Sequence, residues 1–237
     1  RFRTRLTIVA VDTALAVLRS RGLEPDAVLV LEGQHWNIYD FVAAQAPRSA
    51  GVPSPSGLAV PVVDMVSDPG TIHALGPGRC VYCVSEFAQL KLLERLNARG
   101  LMPGALPPLG SVGVALLHIA QQYSSASVLL LGLDFSYRAG ASHARGSPWH
   151  LRELHHWRRV RRYENWRLAH RRSRVTLPSR DGEATESDVV LSGYAAQLRS
   201  RADTQRAFCV RDGGLDLGLK TYASVHEFVT HQRSENR

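Results

Sequence analysis

The stretch Leu106–His143, LPPLGSVGVALLHIAQQYSSASVLLLGLDFSYRAGASH, decides how the rest of the chain is read. Pro107, Pro108 and Gly110 break the backbone, and Ser111 stands where an N-cap belongs. Behind it Val112, Ala115, Leu116, Ile119 and Ala120 recur at helical spacing and give one apolar face. Ser124, Ser125 and Ser127 mark the exit. Val128–Leu131 is then an unbroken apolar run, the pattern of a parallel strand buried on both faces. It ends in Gly132-Leu133-Asp134, which sets a carboxylate at the carboxyl end of that strand, where open α/β sheets hold their ligands. A helix N-terminus offers free N–H groups and a positive dipole end to a phosphate. The expectation is an anion site beside an acidic metal or hydroxyl ligand.

Upstream, the same alternation repeats. Leu6–Val11 reads as a strand ending at Asp12, and Thr13–Arg21 as a helix closed by Gly22. Pro25-Asp26 is a turn, followed by a strand at Ala27–Leu31 that runs into Glu32-Gly33-Gln34. This is a βαβ unit, and it puts Asp12 and Glu32 at the carboxyl ends of neighbouring strands. His35–Ala46 has helical spacing, Pro47–Gly57 reads as loop, and Leu58–Val63 as a strand ending at Asp64. Arg79–Val84 is a further strand, ending at Ser85-Glu86, and Phe87–Arg99 an amphipathic helix. The pattern predicts an α/β fold with a doubly wound, mostly parallel sheet.

After Pro148 the character changes. Trp149–Arg172 predicts a long, densely basic helix with Trp149, His156, Trp157, Val160, Tyr163, Trp166 and Leu168 interleaved among arginines. Arg174–Leu177 reads as a short strand, Glu186–Arg199 as a helix, and Ala207–Val210 as a strand followed by the Gly213-Gly214 turn. The expected organisation is a domain at 1–148 with a basic helical C-terminal extension at 149–237 that completes or flanks it.

Composition bounds the function classes. The chain has 237 residues, 44% apolar and 21% charged, as expected of a globular protein with a sizeable core. No apolar run approaches the ~20 residues of a membrane span. No secretory signal is visible, and three cysteines fit a reducing compartment, so a cytoplasmic protein is expected. The start at Arg1 reads as a cut rather than a natural terminus. Cys80-Val-Tyr-Cys83 has CxxC spacing, but no second pair completes a zinc set and buried thiols are the better reading. The net charge is +8, and eleven arginines against Glu153 and Glu164 between Arg145 and Arg180 carry a local +9. Charge alone suits nucleic acid. No recognised nucleic-acid motif accompanies it, and that partner is disfavoured.

Gly110-Ser111-Val112, Gly132-Leu133-Asp134 and Ser142-His143-Ala144 together resemble the MptE-like family, as do Val11-Asp12-Thr13-Ala14 and Gly22-Leu23-Glu24-Pro25-Asp26. That family shares a Rossmann-like domain between archaeal 6-hydroxymethylpterin diphosphokinases and bacterial Maf-type flagellin glycosyltransferases. Tyr194 ahead of Gly213-Gly214 is a weaker match. The family's glycine-rich G-P-S segment on its first strand lies before the start of this chain. Its acid after P-D-x-V is commonly aspartate, where this chain has Glu32.

The resemblance implies a nucleotide-dependent transferase. Its first form moves an activated sugar from a CMP-nonulosonic donor to a protein hydroxyl such as flagellin Ser or Thr. Its second moves diphosphate from ATP to a hydroxymethylpterin, with Mg²⁺ on Asp134 and a neighbouring acid such as Glu32. Within either, Asp134 and His143 are the expected catalytic residues, His143 serving an acceptor hydroxyl as base. Gly110, Ser111 and Val112 are the expected phosphate seat. Asp12, Glu32, Gln34 and Asn37 are the expected nucleotide contacts, with Trp36 either a stacking platform or core. A third reading is a non-catalytic module that binds a partner through the basic helix.

Overall fold

The computed structural model describes residues 5–44, 59–85, 90–137, 143–155, 159–160 and 172–235. These fall into two compact units whose chain segments interleave, Arg1–Val112 with His143–His156, and Gly113–Ser142 with Trp157–Arg237. The boundary expected near residue 148 falls inside the first unit.

Unit 1 is a five-stranded parallel sheet of β1 (Val9–Val11), β2 (Ala27–Val30), β3 (Val60–Asp64), β4 (Val81–Ser85) and β5 (Gly104–Leu106), in that spatial order. Successive strands pair with successive neighbours, so every crossover steps the same way. The crossovers carry α1 (Asp12–Ser20), α2 (Ile38–Ala44), α3 (Pro69–Leu75) and α4 (Lys91–Asn97). Leu15, Val28, Val30, Phe41, Ala59 and Val63 form the core, with Ile72, Leu75 and Cys80 against it. Gly22 closes α1 at a φ of 72°, a left-handed turn that a side chain would strain. Beyond it Glu24, 4% exposed, takes the Arg19 guanidinium at 2.6 Å and the Ala59 N–H at 3.3 Å. The Glu24-Pro25-Asp26 block is thus structural here, since Asp26 also accepts the Ile8 N–H at 2.7 Å.

Several expectations need correction. The helix expected from His35 begins as a 3₁₀ turn, His35–Asn37, before α2. The helix α3 was not expected, although Asp68-Pro69 is an N-cap followed by a first-turn proline, with the Asp68 carboxylate accepting the Thr71 N–H at 2.9 Å. The strand β5 also stands where only a turn was expected. The loop at Pro47–Gly57 and most of the basic segment lie outside the described residues. Within that segment α6 (Pro148–His155) is helical.

Unit 2 has two sheets. One is parallel, in the order β10 (Lys220–Tyr222), β9 (Ala207–Val210), β6 (Val128–Leu130). The other is an antiparallel hairpin of β7 (Arg174–Pro178) and β8 (Ala184–Asp188). Three helices belong with them: α5 (Val112–Tyr123), α7 (Val189–Arg201) and α8 (Val225–Glu235). Phe208, Tyr222 and Phe228 pack with centroids 5.4–5.6 Å apart, Tyr222 edge-on to both phenylalanines.

The helix expected from Glu186 starts at Val189 instead, because Glu186–Asp188 pair with β7. Asp188, fully buried, accepts the Val190 and Leu191 N–H groups at 2.7 and 2.9 Å and caps α7. Its second oxygen takes the Tyr137 hydroxyl at 2.5 Å, and Arg172 stands 3.4 Å away. These hydrogen bonds hold Asp188 below the usual carboxylate range against its burial, while burial and the carboxylate push Tyr137 up to about 12. Asp188→Ala removes the cap and orphans a phenol, at an expected cost of about 2–4 kcal/mol in urea unfolding. Asp188→Asn keeps an acceptor for the helix and is expected to cost less; equal losses would contradict this division of labour.

Candidate active site

Polar groups gather at the carboxyl ends of β1, β2 and β3. Asp12 opens α1, is 3% exposed, and accepts the Thr13 N–H at 2.8 Å. Asn37 closes the 3₁₀ turn beside it and is 5% exposed. The Asn37 carboxamide lies close enough to favour the ionised form of Asp12. Its Nδ2 is nevertheless buried without a hydrogen-bond partner. Glu32 is exposed above them, accepting the Gln34 N–H at 3.0 Å, and its carbonyl takes the Asp68 N–H at 3.3 Å. The structure therefore brings Asp12, Glu32, Gln34 and Asn37 together.

Sequence reading missed Asp40, in the first turn of α2. Burial pushes Asp12 up to about 6, with Glu32 adding to the effect, and pushes Asp40 up to about 7, with Asp12 adding. Two carboxyls whose pKa values burial raises and an amide at a strand end form a mixed set of donors and acceptors, suited to a polar ring edge or a ribose hydroxyl.

Trp36 is 55% exposed, which settles its reading in favour of the surface. It lies near-parallel to Tyr39 at 5.9 Å, and the Arg152 guanidinium sits 4.6 Å above it. Arg152, on α6, also covers Trp149 at 5.4 Å, and Trp149 meets the His143 ring at 5.3 Å. A continuous series of rings and one cation thus links His143 to the turn that carries Asn37, all within unit 1. Gly110, Ser111 and Val112 follow β5, and α5 starts at Val112, directly after the expected cap. Strand order places them away from Asp12 and Glu32: β2 and β5 are three spacings apart, roughly 14 Å.

Asp134 is in unit 2, at the expected position past β6. Its Oδ1 accepts Arg180 Nη2 at 3.0 Å, a partner that sequence reading missed. Among the described residues no group of three or more His, Cys, Asp and Glu is arranged to hold a metal ion. The Asp134 donor set, ion-paired to a guanidinium, does not fit a resident Mg²⁺. All three cysteines are free thiols, and burial pushes Cys83 up to about 12. No helix among the described residues is long and apolar enough to cross a membrane.

The Asp12–Asp40 pair gives a pH signature. Both carboxyls titrate higher in the folded chain than the unfolded value of about 3.9, so they oppose folding above about pH 7 and stop doing so as pH falls towards 4. Asp40→Asn is expected to raise the melting temperature at pH 8 and leave it unchanged at pH 4. A pH-independent difference would contradict the pairing.

A model of the family described as "6-hydroxymethylpterin diphosphokinase MptE-like" matches residues 1–140. An uncharacterized protein of Treponema pallidum (strain Nichols) is 28% identical over 149 residues, which cover 62% of this chain and 24% of that protein. A solved structure described as a "MAf glycosyltransferase from Magnetospirillum magneticum AMB-1" superposes on 94% of this chain and 30% of its own, with a TM-score of 0.61 and 17% identity. The chain thus spans a quarter to a third of the length of these relatives, and the structural likeness is one of fold. With its Rossmann-like parallel sheet and a family match over more than half its length, the chain belongs to the MptE-like family.

Proposed function

We propose that this chain is the nucleotide-binding part of a transferase that moves an activated sugar from a CMP-linked nonulosonic donor to a protein hydroxyl, such as Ser or Thr of flagellin. The observation that carries the reading is the buried, unpartnered Asn37 Nδ2 beside Asp12 at the strand ends. A buried donor without good protein geometry takes its acceptor from a water or a ligand, and here it opens onto a polar cluster at the strand ends. Asn37, Asp12, Glu32 and Gln34 bind the nucleoside. Backbone N–H groups at Gly110-Ser111-Val112, where α5 begins, take phosphate. His143, exposed on unit 1, accepts the proton of the acceptor hydroxyl as it attacks. Asp134, past the end of β6 in unit 2, takes part as an ionised carboxylate paired with Arg180. The fold likeness to a Maf glycosyltransferase supports this form of the reaction.

The description of the matching family favours a second reading, diphosphate transfer from ATP to a hydroxymethylpterin. There Mg²⁺ would arrive with the triphosphate rather than occupy a protein cage, with Asp134 or Glu32 touching it. Isothermal calorimetry with CMP and with ATP, each with and without Mg²⁺, separates the two. Metal-independent CMP binding that Asn37→Ala weakens about tenfold, with an unchanged melting temperature, is the expected result. ATP binding that needs Mg²⁺ and weakens in Asp134→Asn would favour the second reading. Silence to every nucleotide would contradict both.

A further inference from the structure

Arg180 lies in the turn between β7 and β8, and its side chain is 1% exposed. A fully buried guanidinium in a tight turn is costly, so its neighbours need accounting for. Its Nη2 donates to the Leu133 carbonyl at 3.2 Å and to Asp134 Oδ1 at 3.0 Å. Its Nε stands 2.9 Å from Asp212 Oδ1, while Nη1 is buried without a hydrogen-bond partner. The Arg180 N–H is bonded to the Gly214 carbonyl at 2.9 Å. Gly214 forms the floor beneath the guanidinium. A Cβ there would lie 1.8 Å from Nη2, 2.7 Å from Cζ and 2.9 Å from the Asp134 Cα. Only glycine leaves room for the arginine.

The same hairpin grips the rest of the loop after β6. Ser187 Oγ donates to the Phe135 carbonyl at 2.7 Å, the Tyr137 N–H to the Glu186 carbonyl at 2.8 Å, and the Leu215 N–H to the Asp134 carbonyl at 2.8 Å. Phe135 is held at a φ of 47°, a left-handed conformation that a non-glycine residue adopts at a cost. A strained backbone restrained on both sides, under a carboxylate 47% exposed, orients that carboxylate rather than merely closing a turn.

The geometry points to Arg180 as the positioning residue for Asp134: the guanidinium, seated on Gly214, fixes the direction of the carboxylate and keeps it ionised. This rests on the proposal that Asp134 takes part in the transfer. Arg180 works through Asp134, while its Nε is set against Asp212.

The test uses two readouts on the full-length protein. The first is the titration of the Asp134 carboxyl carbon by NMR, assigned by its loss in Asp134→Asn. Arg180→Gln is expected to move the midpoint upward by about one unit, the effect of removing an adjacent cation from a half-exposed acid. Gly214→Ala, which keeps the charge but evicts it from its seat, is expected to move it in the same direction. Arg180→Lys is expected to restore much of the wild-type midpoint. The second is release of CMP from a CMP-linked nonulosonic sugar. Arg180→Gln and Asp134→Asn are each expected to lower kcat about tenfold or more with little change in KM, and the double variant no further. An unchanged Asp134 midpoint in both Arg180→Gln and Gly214→Ala would overturn the proposal. A shifted midpoint with wild-type CMP release in Asp134→Asn would sustain the positioning role and remove Asp134 from the transfer. Should Arg180→Gln fail to fold, Gly214→Ala and Arg180→Lys carry both readouts.

Discussion

Parallel strands deliver backbone N–H groups to one end of a sheet, and a buried N–H without an acceptor costs about as much as a lost hydrogen bond. This chain meets that constraint with carboxylates. Asp64, fully buried, accepts the N–H groups of Val66 at 3.0 Å and Ser85 at 2.9 Å, tying the ends of β3 and β4 together. Asp68 caps α3, Asp188 caps α7, and Asp212 accepts the Gly214 N–H at 3.0 Å. Most acids at the strand ends are therefore occupied by the fold. What distinguishes the candidate site is the remainder, where burial is not matched by internal partners.

Among the described residues, Gln121 Nε2 and Trp149 Nε1 are also buried without a hydrogen-bond partner, but Asn37 Nδ2 in unit 1 and Arg180 Nη1 in unit 2 are the ones set beside strand-end acids. Around Asn37 the excess is of polar groups over partners, and the raised carboxyls of Asp12 and Asp40 follow from the same burial. Around Arg180 a buried charge is set against Asp134 and Asp212. The first arrangement is suited to a ligand that brings its own acceptors. The second is suited to holding a carboxylate still.

The fold was legible where residues obey one period. Asp12 and Glu32 follow strands whose apolar runs are unbroken, whereas β6, expected to be buried on both faces, is an edge strand of its sheet, with Val128 and Leu129 half-buried and Leu131 exposed. Short or locally stabilised elements escaped. β5 has only three residues, Gly104–Leu106, too few to show a pattern. β7 was legible at Arg174–Leu177, but its partner β8 was missed, although Asp181-Gly182, with Gly182 at a φ of 90°, was a readable turn signal. Arg180 was invisible for a different reason. An arginine inside a run of eleven reads as solvated charge, and only Gly214, far along the chain, makes room to bury it. Asp40 was hidden likewise, because its partner Asp12 is distant in sequence and one apolar helix face resembles another.

The buried Asn37 carboxamide, which stands beside Asp12 without reaching good hydrogen-bond geometry, is the group proposed to meet the nucleotide. The most direct measurement follows the ¹H–¹⁵N side-chain resonances of Asn37 while CMP is added. The account predicts that these resonances shift as CMP saturates the protein and that their exchange with water slows. Resonances that stay fixed while CMP binds elsewhere on the chain would contradict it.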